Sequence, residues 1–146
     1  MLNKHLVTVL AAGASLAAAM LPINPAAASI SGKANLMCTA NNVVGCADGM
    51  CMQGGPAAFG LMHYLFVDFQ RKMVHGINDE GAEVTSPVRN MEVTEQAIIL
   101  QGVENQRGWT LGIGRDDGVL RMSSTGPDVN IIIIGATIWK SVTISI

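Results

Sequence analysis

From residue 59 onward, apolar and polar positions alternate in short runs that are punctuated by Gly, Asn, Asp and Pro. The clearest runs lie in 107–126, where Trp109, Leu111 and Ile113 alternate with Thr110, Gly112 and Gly114. After Asp116-Asp117-Gly118 the chain resumes with Val119, Leu120 and Met122. Two period-2 runs around a turn signal predict a β-hairpin. The Asp side chains can hydrogen-bond the turn backbone, and Gly118 can take a positive φ. A lone hairpin is only marginally stable in water, so further strands must flank it.

The flanking pattern supplies them. Residues 59–77 fit either a helical face through Phe59, Met62, Phe66, Phe69 and Met73, or a strand with Leu65, Val67 and Phe69 on one side. Aromatic and β-branched content favours a strand from about Leu61, with 72–77 as its continuation or partner. Asn78-Asp79-Glu80-Gly81 reads as a turn and Ser86-Pro87 as a break between two short strands, 83–85 and 88–93. Residues 97–103 form another strand. The run 129–138 is the most apolar after residue 28, which predicts cover on both faces. Val142, Ile144 and Ile146 alternate with Ser141, Thr143 and Ser145 as a last amphipathic strand. About seven or eight short strands without βαβ alternation predict a mainly β fold, a small antiparallel meander closed as a barrel or packed as a sandwich. Residues 29–58, rich in Gly, Asn, Ala, Met and Cys, read as an irregular lead into a β domain spanning 59–146.

The first 28 residues differ from all of this. A short basic start with Lys4 precedes an uncharged apolar run, 6–21, and then Pro22 and Ala26-Ala27-Ala28. These are the parts of a cleaved signal peptide, with cleavage before Ser29. The run is shorter than the roughly 20 residues needed to span a bilayer, so the mature chain is expected not to be membrane-spanning, and to be periplasmic or secreted. After residue 28 there are eight Lys and Arg against eleven Asp and Glu, a net charge of −3 with the cations scattered. That balance offers no footprint for nucleic acid.

Candidate chemistry is sparse. Cys38, Cys46 and Cys51 are the only cysteines, flanked by Met37, Met50 and Met52. In an oxidising compartment one disulfide and one spare thiol are expected, and the spare one could link two chains into a dimer. The alternative is a soft-metal or redox site in which Cys38, Cys46 and Cys51 with Met50 and Met52 hold copper, since thiolate and thioether sulfurs suit Cu(I). The spacing C-x7-C-x4-C matches no zinc pattern. His63 and His75 with Asp68 could form a polar cluster. No GxSxG, HExxH, CxxC or phosphate-loop pattern occurs, so the chain is expected not to be an enzyme.

The run Gln101-Gly102-Val103-Glu104-Asn105, then Arg107-Gly108-Trp109, Asp116-Asp117-Gly118 and Ile134-Gly135-Ala136, resembles small secreted bacterial proteins that carry a few N-terminal cysteines. The resemblance implies no particular activity. In that group a Cys often follows the late Gly-Ala, where this chain has Thr137. The expected function is therefore non-enzymatic binding of a small apolar ligand inside the β-structure, with Trp109, Leu111, Met122 and Tyr64 as the ligand-binding residues. No cofactor is expected under that reading.

Overall fold

A computed structural model describes residues 29–78 and 80–139 of the chain. The strands are β1 (Leu36–Ala47), β2 (Met50–Gly54), β3 (Tyr64–Asp68), β4 (Met73–Ile77) and β5 (Glu83–Val93). They continue as β6 (Ala97–Glu104), β7 (Arg107–Gly114), β8 (Val119–Thr125) and β9 (Asn130–Trp139). A 3-10 turn covers Pro56–Phe59 between β2 and β3. Every neighbouring pair is antiparallel, and β1 also pairs with β9. β1 and β3 to β9 therefore close into an eight-stranded barrel, with β2 as an extra strand. One edge of β1 lies along β9, while its other edge takes β3 at Leu36 to Thr39 and β2 at Val43 to Ala47.

Alternation along each strand fills the interior. Leu36, Cys38, Ala40 and Val43 of β1 meet Leu65 and Val67 of β3 and Ile98 and Leu100 of β6. Leu111, Ile113 and Leu120 of the β7–β8 hairpin complete the centre of the core. An eight-stranded barrel has an interior just wide enough for side chains or for one small ligand.

The hairpin stands as its pattern predicts, with Trp109, Leu111 and Ile113 buried and Gly118 at φ 67°. Residues 64–77 are two strands, not a helix. Three expectations are corrected. Much of 29–58 is ordered sheet, because β1 is the strand that closes the barrel; its small inward residues, Cys38, Ala40 and Gly45, hide it from a propensity reading. Ser86-Pro87 breaks nothing. β5 pairs with β4 up to Pro87 and with β6 from Val88 onward, where a bulge follows, so proline's missing N–H falls at the handover between partners. Nor is β9 covered on both faces. Ile131 and Ile133 turn inward or toward the core, but Ile132 and Ile134 are about half exposed, at 52% and 48%. The signal-peptide reading of 1–28 and the strand expected at 142–146 lie outside the described residues. Among the described residues no helix is long and apolar enough to cross a membrane.

Candidate functional site

The two ends of the barrel are built differently. At one end lie the turns 69–72, 94–96 and 115–118 and the start of β1. Ile30 plugs this end: it is buried, its N–H donates to the Arg115 carbonyl at 2.8 Å, and Arg115 Nε donates back to the Ile30 carbonyl at 2.9 Å. Arg115 Nη1 also donates to the Thr94 carbonyl at 2.8 Å, which ties the lead to two turns at once.

The opposite end holds the β1–β2 hairpin, the segment 55–63 and the turns 78–82, 105–106 and 126–129. Here the interior opens into a cavity of about 370 Å³. Its wall is apolar, made by Leu65, Val74, Trp109, Leu111, Met122 and Ile133. Segment 55–63 reaches over it with Phe59, Leu61 and Met62. This segment packs close because the strands beneath carry glycine. A Cβ on Gly45 would lie 2.6 Å from Phe59 Cε1, and one on Gly76 would overlap Met62 Sδ. Ser86, Glu104, Asn105, Arg107 and Ser124 supply the polar groups of the cavity.

Each polar group has a distinct state. Trp109 Nε1 donates to Ser86 Oγ at 2.8 Å, a buried bond that fixes the indole across the interior. Arg107 Nη1 donates to the Val129 carbonyl at 3.3 Å, and Nη2 lies 3.9 Å from the Asp128 carboxylate. The carboxylate of Glu104, a residue directly opposite Arg107 in the β6–β7 register, has no hydrogen-bond or ion-pair partner among the described residues. Asn105 and Gln106, the two turn residues between them, both take positive φ, the signature of the turn that matches strand twist.

Of the residues singled out from the sequence, Trp109, Leu111 and Met122 line this cavity together. Tyr64 does not. It precedes inward-facing Leu65 on β3, so alternation turns it to the outer surface, where it is 41% exposed and its ring sits 5.5 Å from that of His63. Phe59, Met62, Ser86, Glu104 and Arg107 were not foreseen. Phe59 and Met62 reach the site by a loop crossing the barrel, which no periodicity reports. Glu104 and Arg107 were visible in principle as the two ends of a two-residue turn.

The cysteines divide in the manner expected, with one disulfide and one spare thiol. Cys46 and Cys51 are bonded across the β1–β2 pair, with Cα atoms 4.1 Å apart. Cys38 is free and fully buried. Burial pushes its thiol up to about 11, an effect that its hydrogen bond to Thr137 partly opposes. A thiol in that place is not presented to a second chain, so it offers no route to a disulfide-linked dimer. Nor do Cys38, Cys46 and Cys51 with Met50 and Met52 assemble as copper donors. Two of the three sulfurs are bonded to each other, and Cys38 faces the interior of the barrel while Met50 and Met52 are exposed on β2. Among the described residues no three His, Cys, Asp or Glu side chains gather as a metal set.

Asp68 and the histidines are also apart in role. Asp68 accepts from the Arg71 N–H at 2.9 Å within its own turn, while His75 Nδ1 lies 3.1 Å from Thr85 Oγ1. A broader trough of about 540 Å³ lies on the outer wall around Ile99, Gly112, Gly114 and Arg121. Gly112 presents no side chain there, and the Asp117 carboxylate occupies the space beside Gly114.

Comparison of the chain with protein-family models, with curated proteins and with solved structures gives no match.

Proposed function

We propose that this protein is a non-enzymatic binding module that holds a small apolar ligand in the open end of its barrel. The observation that carries the reading is the 370 Å³ cavity, walled by apolar side chains and edged by a few polar groups. Concave, mostly apolar sites with few polar groups are the usual form of small-molecule sites. At about 370 Å³ the cavity lies at the small end of ligand pockets, so the ligand is small. Trp109, Leu111 and Met122 are its contacts from the wall and Phe59 and Met62 from above, while Tyr64 lies on the outer surface.

Export to an oxidising compartment, periplasm or medium, belongs to the same proposal. The Cys46–Cys51 bond supports it, because such bonds persist where thiols are not kept reduced.

Trp109 makes the test direct. In a Trp139→Phe background the remaining emission comes from Trp109, and titration with a panel of medium-chain apolar compounds should change it saturably. A panel that leaves the emission unchanged, with no co-purifying organic mass under native mass spectrometry, would refute the reading.

A further inference from the structure

The open end of the barrel is electrically lopsided. Among the described residues, its turns and strand ends carry Asp48, Glu80, Glu83, Glu104 and Asp128, with Arg107 as the single Lys or Arg, a net of −4. The plugged end carries Lys33, Arg71, Lys72 and Arg115 against Asp68, Glu92, Glu95, Asp116 and Asp117, a net of −1. The one cation at the cavity is already engaged, since Arg107 donates to the Val129 carbonyl and lies 3.9 Å from Asp128. The one carboxylate lining the cavity, Glu104, has no partner among the described residues. A site of this kind repels an anionic head group and draws a cationic one, and low-dielectric walls strengthen the effect by focusing the field.

We infer, on the basis of the cavity reading above, that the ligand is an apolar molecule carrying a positively charged amine head. Its apolar body lies against Leu111 and Ile133, and its ammonium sits at the rim on Glu104. A fatty-acid-like carboxylate would meet Glu104 unpaired, beside an Arg107 that already donates to the Val129 carbonyl and lies 3.9 Å from Asp128. A bare ammonium has three donors to satisfy. Glu104 gives it an acceptor at the rim, and Ser124, opposite Trp109 in the β7–β8 register, adds a hydroxyl to the cavity wall.

Three probes with the same eight-carbon tail separate the possibilities: octylamine, 1-octanol and sodium octanoate, each titrated against Trp109 emission at pH 7 and low ionic strength. Octylamine is expected to bind at least tenfold more tightly than octanoate, with 1-octanol between them. Raising the salt to 0.5 M should shrink that preference several-fold, because exposed charges are screened over a few ångströms at such concentrations. Glu104→Gln should weaken octylamine at least fivefold, and wild-type and variant melting temperatures are compared to check that the barrel is intact. Octanoate binding as tightly as octylamine, or Glu104→Gln leaving octylamine unaffected, would overturn the inference while the cavity reading stands. Should the variant fail to fold, the salt dependence and the order of the three probes on the wild-type chain still decide. Failure of all three probes to bind would remove the cavity reading itself.

Discussion

Cys38 Sγ and Thr137 Oγ1 face each other at 3.9 Å across the seam where β1 meets β9 and the barrel closes. The pair joins residues 99 positions apart, and Thr137 also donates to the Gly118 carbonyl at 3.0 Å. Directly opposed positions on neighbouring strands suit a disulfide. Thr137→Cys is therefore expected to form a second bond, with Cys38. A loop of about 100 residues gives an upper bound near 5 kcal/mol in the chain-entropy model, and about 2–3 kcal/mol is expected after the Gly118 bond is lost. Denatured alkylation should find no free thiol, and the rise in melting temperature should vanish with reductant.

The same burial makes stability pH-dependent. Folding raises the Cys38 thiol from 9.0 to about 11, so below pH 9 the thiol is neutral in both states and the full stability is present. Between pH 9 and 11 the unfolded chain gives up the proton while the folded chain keeps it, and stability falls by about 1.4 kcal/mol per pH unit. Chemical denaturation at pH 8, 10 and 11 should show this slope, and Cys38→Ala should remove that part of it. Equal slopes in both proteins would contradict the assignment.

How much of this was legible follows from where the information lies. The β7–β8 hairpin was readable because its signals are local: an alternating run, the Asp116-Asp117-Gly118 turn and a second alternating run. The barrel class followed from counting such runs. β1 was not readable, since its identity as a strand comes from β9, about a hundred residues away. Its inward Cys38, Ala40 and Gly45 are small, and at Gly45 the reason is steric, because the Phe59 ring lies where a Cβ would go. Tyr64 was misassigned in the absence of a phase, because only the inward Leu65 and Val67 fix which side of β3 faces the cavity. The lid over the cavity is a loop, and loops leave no period to read.

Since β2 lies outside the closed ring, its disulfide should be dispensable. Cys46 and Cys51 are only five positions apart, a loop whose closure accounts for about 2 kcal/mol at most. The double variant Cys46→Ser, Cys51→Ser is expected to keep the barrel, with a loss no larger than this by urea denaturation. Loss of cooperative unfolding would show that β2 is integral to closure.

Two glycines beneath the site should respond to very different degrees to the same added methyl group. A Cβ on Gly102 would overlap the Trp109 ring and lie 2.7 Å from the Pro87 carbonyl, so a rigid indole and backbone hem it in. Gly102→Ala must displace Trp109 and break its 2.8 Å bond to Ser86, leaving a buried polar group unpaired. Overpacking and the lost bond together predict a cost of about 2–4 kcal/mol and a red-shifted tryptophan emission. A Cβ on Gly76 would overlap only the Met62 side chain, whose unbranched thioether can swing aside. Gly76→Ala is therefore expected to cost under about 1.5 kcal/mol. Pushing Met62 into the cavity should nonetheless weaken binding of an eight-carbon probe several-fold. Similar losses of stability in the two variants would mean that the indole, rather than the backbone around it, yields at little cost.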